Sequence, residues 1–202
     1  TYWLKVPYDK PFEPTWYPGK RETHQHILLV RVMTDEGIEG YGSGEFPFGL
    51  TPTYMTFIQD MIAPWLIGQD PLMIEKLATR LKGDGRLAPR PWIVENALWD
   101  ILGKKAGLPA YKVMGGYRDH IPAYAAMCEL RSDEERQEDA LRLFDEGFRA
   151  VKLRLFMPTI KEDIHIVENI RKAVGDKMTI ICDANQGPVR DRNFEGGRVP
   201  FW

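Results

Sequence analysis

The sequence predicts an α+β unit to about Tyr117, followed from about Arg118 by a parallel β/α region. A hairpin succeeded by several helices marks the first region. Strict strand-helix-strand-helix-strand order with short connections marks the second. A capping box opens each helix of that second region.

In the first region, Gln25 to Thr34 (QHILLVRVMT) is rich in Val, Ile and Leu and reads as a strand. Asp35-Glu36-Gly37 supplies the turn, and Ile38 to Tyr41 starts the returning strand, so the pair is a β-hairpin. Pro7 to Gly19 holds Pro11, Pro14, Trp16, Tyr17 and Pro18. That much proline argues against a regular element, and the segment reads as a loop of the length that often carries function. Thr51 is a candidate N-cap with Pro52 at the first helical position, opening a helix through Met55, Ile58, Met61 and Ile62. A second helical segment covers Pro71 to Leu81. The strongest runs from about Pro91 to Ala106, where Val94, Ala97, Leu98, Ile101 and Leu102 recur at spacings of three and four and Gly107 is a natural stop.

In the second region, His120 to Met127 (HIPAYAAM) reads as a strand. Ser132 with Glu135 begins a helix that Gly147 ends. Arg149 to Leu155 (RAVKLRL) is the next strand. Thr159 with Glu162 opens the following helix, whose apolar stripe is Ile164, Val167, Ile170 and Val174 before Gly175. Met178 to Cys182 (MTIIC) is the third strand. Such a series belongs to a doubly wound sheet or a (β/α)8 barrel. A barrel takes about 250 residues, and 85 of the 202 residues follow Tyr117, enough for three repeats. A barrel here is expected to be incomplete, with the tail PVRDRNFEGGRVPFW an inserted loop.

Composition excludes several classes. With 44% hydrophobic and 28% charged residues this is the make-up of a globular protein. A formal net charge of -2 makes no electrostatic case for nucleic acid or an anionic membrane. No apolar run approaches the roughly 18 residues of a membrane helix, and no signal-peptide pattern opens the chain. Cys128 and Cys182 sit in apolar strand-like segments and read as buried reduced thiols of a cytoplasmic protein.

In parallel α/β architectures, chemistry gathers beyond the C-terminal ends of the strands. Lys152 and Arg154, two apart, share one face of their strand, opposite Val151, Leu153 and Leu155. Two cations on an interior face are costly without an anion to join them, which points to an anionic substrate or a carboxylate. The alternative is an edge strand with solvated charges. Asp183 closes MTIIC where strand meets loop, a place suited to a hard cation such as Mg²⁺, and Asn185 shares its face. Asp-Ala-Asn also suits a plain turn. Gly42-Ser43-Gly44 lacks the helix and spacing of a phosphate loop and reads as a flexible loop. His24 and His26 read as a surface pair without a third ligand, and His165 as a surface residue.

The segments ILLVRVMTDEGIEGYG, VENALWDILGKKAGLPAYKVMGG, GFRAVKLRL and CDANQG, in that order, resemble the mandelate racemase and muconate lactonizing enzyme branch of the enolase superfamily. The resemblance implies an N-terminal α+β capping domain, residues 1–117, and the first three β/α units of a (β/α) TIM-type barrel, residues 118–202. In that family Mg²⁺ binds the substrate carboxylate, a base removes the proton alpha to it, and the metal stabilises the enediolate. The first metal ligand falls on Asp183, the following polar residue on Asn185, and the Lys-x-Lys base motif on Lys152 and Arg154. The segment before residue 25 takes the place of the family's mobile loop over the active site.

The second lysine of that motif is Arg154 here, and a guanidinium is a poor base. Dehydration of a sugar acid, which needs only one base, is therefore expected over racemisation, epimerisation or cycloisomerisation. Specificity is expected from Trp16 and Tyr17 and from the loop Gly44 to Gly49, including Glu45. The expected partner is a small carboxylate or sugar-acid substrate, with no nucleic acid or membrane, in a homo-oligomer. A further expectation is that the 202 residues alone are an inactive fragment or scaffold.

Overall fold

The computed structural model describes residues 1–15, 17–46, 50–86, 91–155, 157 and 159–184. The chain divides into two compact units. The first comprises Thr1–Pro11 and Thr23–Asp119, the second Phe12–Glu22 and His120–Trp202.

The first unit is built on a sheet of order β1-β2-β3, with β1 Tyr2–Phe12, β2 Glu22–Met33 and β3 Glu39–Glu45. The expectation that Pro7 to Gly19 forms no regular element is overturned for residues 7–12, since Pro7 and Pro11 lie within β1. β1 is an edge strand. Pro7 and Pro11 are four apart, so in a regular strand their missing N–H positions fall on the same side, and an edge tolerates that on its unpaired side. β2 and β3 form the expected antiparallel hairpin, in register from Met33↔Glu39 to Ile27↔Glu45. Its loop is closed by Thr34, whose N–H donates to the Ile38 carbonyl at 3.0 Å while its Oγ1 accepts from Ile38 N–H at 3.0 Å. Gly37 takes the positive φ (+81°) that the reversal needs.

Helix α1, Leu50–Phe57, begins one residue before Thr51. Thr51 is fully buried and its hydroxyl donates to the Phe46 carbonyl at 3.4 Å. A π-helical turn follows at Ile58–Ile62 and then α2 at Ala63–Leu66. Pro64 has no N–H to return to residue 60, and the Ala63 N–H reaches Ile58 O in the wider turn. Helix α3, Ile74–Asp84, starts three residues later than the spacing predicts and runs past Leu81. Helix α4, Trp92–Ala106, buries Val94, Ala97, Leu98 and Ile101, and Gly107 ends it at φ +65° in the left-handed region. A short α5, Ala110–Val113, follows.

Gly42-Ser43-Gly44 is a correction, because it lies inside β3 and not in a flexible loop. Gly40, Gly42 and Gly44 alternate along the face on which α4 rests. A Cβ at Gly42 would stand 1.8 Å from Ile93 O, and one at Gly40 2.1 Å from Ala97 O. Their lack of side chains lets a helix backbone lie directly against a strand. Tyr41 N–H donates to Asp100 Oδ2 at 2.8 Å, and Lys104 Nζ to Glu39 O at 2.7 Å, fastening the same contact.

The second unit contains a parallel sheet of order β4-β5-β6: β4 Ala125–Met127, β5 Ala150–Arg154 and β6 Thr179–Asp183. β4 is shorter than the eight residues expected. Pro122 interrupts the run, and residues before it cannot continue a ladder through a missing donor. Helices α6, Asp133–Asp145, and α7, Ile160–Val174, each open with a complete capping box, at Ser132/Glu135 and Thr159/Glu162. The core joins Val151 and Leu153 of β5 to Ala140 of α6 and Ile166, Ile170 and Val174 of α7. Ile164, expected in that stripe, is exposed, and Ile166 takes the buried position. Phe12–Glu22 belongs to this unit as a strap. Thr15 N–H donates to Cys128 O at 3.0 Å, Leu130 N–H to Glu13 O at 2.8 Å, and Pro14 bridges Glu129 in antiparallel sense.

Candidate metal and substrate site

β5 alternates strictly. Val151 and Leu153 are fully buried against the helices, and Lys152 and Arg154 face the other way, as a strand's period of two requires. The parallel register sets Arg154 level with Asp183 and Lys152 level with Ile181. Asp183 therefore meets both cations. Its Oδ2 lies 3.1 Å from Lys152 Nζ and 3.4 Å from Arg154 Nη1. The side chains of Lys152, Arg154 and Asp183 retain only 23%, 14% and 23% of their exposure, so these are partly desolvated charges in contact. The solvated-edge alternative for this strand does not hold.

The hydrogen bond that Lys152 donates to Asp183 pushes the lysine above its ordinary range, against the opposing effect of burial. Tyr124 was missed by the sequence reading. Lys152 Nζ stands 5.4 Å from its ring centroid, a cation–π distance. The available signal was parity, since Ala126 pairs level with Lys152 and Tyr124 is two residues before it.

Asp183 offers one hard oxygen donor at the C-terminal end of a strand, which fits one position of a Mg²⁺ set. Among the described residues no group of three His, Cys, Asp or Glu side chains converges on a common point. Asn185 and Trp16 lie outside the described residues. Tyr17 sits in the strap, 54% exposed, with Lys20 Nζ 5.6 Å from its ring centroid. Glu45 ends β3 in the first unit, where its Oε2 accepts from Gln25 Nε2 at 3.2 Å. The cysteines are free, but Cys128 is half-buried and Cys182 exposed, so neither is the buried thiol expected. His26 is more than a surface residue, because its Nδ1 accepts from Trp3 Nε1 at 3.0 Å. His24 and His165 are exposed, as expected.

Residues 10–115 match the profile of the mandelate racemase / muconate lactonizing enzyme N-terminal domain, and residues 135–198 match the enolase C-terminal domain-like profile. The chain belongs to the enolase superfamily, in its mandelate racemase and muconate lactonizing enzyme branch. Enolase-superfamily relatives of differing chemistry resemble it to the same degree. An arabinonate dehydratase of Saccharolobus solfataricus is 29% identical over 89% of this chain and 51% of its own length. An N-succinyl-L-Arg/Lys racemase of Bacillus cereus is 29% identical over 92% of this chain and 51% of its own. A racemase from Streptomyces coelicolor A3(2), solved with bound magnesium, superposes with a TM-score of 0.82 at 26% identity, covering 92% of this chain and 54% of that one. The chain thus spans about half the length of the curated relatives it matches. Its N-terminal part carries the superfamily's capping domain. Among the described residues no helix is long and apolar enough to cross a membrane.

Proposed function

We propose that the protein is a Mg²⁺-dependent lyase that removes water from a sugar acid. Residues 1–117 would be its capping domain and residues 118–202 the first three β/α units of its barrel. The observation that carries this reading is the convergence of Lys152 and Arg154 on Asp183 at the ends of adjacent parallel strands. Asp183 is the metal ligand in this reading. Asp183 would supply one ligand to Mg²⁺, whose charge would offset the negative charge that develops on a substrate carboxylate when its alpha proton leaves.

The planar guanidinium of Arg154 serves to bind and orient the anionic substrate. Lys152 is the member of the pair that can exchange a proton, so proton transfer to or from the substrate falls to it. A single proton-transferring residue on this strand suits elimination, where the second transfer goes to a departing β-hydroxyl. It suits two-base racemisation less well. Trp16, Tyr17, Glu45 and Asn185 are the proposed substrate contacts, and a homo-oligomeric cytoplasmic enzyme is the proposed setting.

The test is turnover of a panel of aldonic and aldaric acids by the whole protein with Mg²⁺, read as α-keto acid formation. Asp183→Asn should abolish it, and undiminished turnover would sink the ligand assignment. A racemase, epimerase or cycloisomerase is the second reading, supported by the equal identity to the Bacillus cereus racemase. Running the reaction in D₂O separates the two. Deuterium incorporation without loss of water favours the second.

A further inference from the structure

The second unit buries a charge that the proposed chemistry does not use. Arg136, on α6, keeps 2% of its accessible surface. A guanidinium does not give up its proton, so its burial is burial of a positive charge, which is costly unless an anion meets it. Arg136 Nε donates to the Arg131 carbonyl at 3.1 Å. No carboxylate of the described residues forms an ion pair with it. Asp133, Asp163 and Glu135 attract it only through space, and desolvation outweighs them, so its pKa is lowered.

Its arginine neighbours are differently placed. Arg131 is paired with Glu129 at 2.7 Å, Glu135 at 3.6 Å and Asp139 at 3.8 Å. Arg142 is paired with Asp139 at 3.0 Å and Glu146 at 2.5 Å. Arg136 instead opens on a cavity of about 240 Å³, lined by residues 125–129 of the β4 segment, Phe12 of the strap and α6. Among the described residues its two Nη nitrogens make no hydrogen bond. The cavity is also lined by Arg131, Arg142, Glu129 and Asp139.

We propose that this cavity is an anion site in which the Arg136 fork holds a small inorganic oxyanion of the phosphate or sulfate kind. Planar, doubly donating guanidinium matches two oxygens of such an ion. The volume is below the range of about 300–1,000 Å³ typical of organic-ligand pockets, and suits an ion with a few waters. Glu129 and Asp139 are each paired with Arg131, so neither carboxylate is committed to Arg136. The site is separate from Lys152, Arg154 and Asp183, and stands or falls independently of the proposed lyase activity.

The experiment is a titration of the protein with sodium phosphate at constant ionic strength, with chloride as the replaced salt, read by thermal unfolding and by calorimetry. Saturable binding and a rise in Tm are expected. Arg136→Lys, which keeps the charge and loses the fork, should weaken phosphate binding about ten- to a hundredfold, the cost of a lost charge-assisted hydrogen bond. Arg136→Met should abolish the response, while in chloride alone its Tm should be no lower than that of the parent. Arg142→Ala, which leaves the fork intact, should retain it. No effect of phosphate on the parent protein, or an equal effect in Arg136→Met and Arg136→Lys, overturns the proposal.

Discussion

Tyr54 keeps 5% of its exposure and packs with ring centroids 4.3 Å from Phe46 and 6.0 Å from Phe57. Burial pushes its hydroxyl up to about 12, because a phenolate there would lose its water. The sign follows from proton counting. Between the ordinary value of 10 and about 12 the folded chain keeps a proton that the unfolded chain gives up. Stability is therefore complete below pH 10 and declines as pH rises through that window, by about 2–3 kcal/mol. Tyr54→Phe should remove this part of the alkaline loss, which urea unfolding at pH 9 and 11.5 would measure; an unaltered difference between the two would refute it. At this scale the sequence was informative about facing. The alternation in RAVKLRL separates Lys152 and Arg154 from Val151 and Leu153, and the structure keeps that division. That both cations end on one oxygen of Asp183 was not legible, since it depends on the register of strands some 29 residues apart.

At the scale of elements, the local signals were readable and the distant ones were not. Both capping boxes formed as spaced, because each is a contact between residues three apart. The alternating glycines of β3 were misread for the opposite reason. What makes Gly42 necessary is Ile93 of α4, and nothing within the strand announces it. Glycine signals a loop when seen alone and a close approach when its neighbour is known. Gly42→Ala should accordingly destabilise the first unit by about 1–3 kcal/mol or more, the usual cost of overpacking where backbone must shift. Denaturant midpoints with unchanged m-values would establish it, and a neutral effect would mean α4 can move off the strand. Pro7 and Pro11 follow the same logic. Proline excludes a central strand, and only the sheet order reveals β1 as an edge.

At the scale of the whole molecule, the reading of an α+β region followed by a parallel β/α region matches the sheets observed, one antiparallel in its β2–β3 pair and one parallel. What the sequence did not disclose is that residues 12–22 leave the first unit and fasten to the second. Thr15 and Leu130 exchange backbone hydrogen bonds with Cys128 and Glu13, partners more than a hundred residues away in the chain. If the strap unfolds with the second unit, the Thr15 and Leu130 amides should show hydrogen-exchange protection that tracks β5 under rising denaturant. Protection that tracks β2 instead would assign the strap to the first unit. The strap also bears on how such a protein could be recombined. The chain passes from one unit to the other near residues 11, 22 and 119. A single genetic crossover at the obvious boundary would leave the second unit with a foreign strap. Grafting its first unit onto a relative intact would take three joins, so the two parts are stitched together rather than joined at one hinge.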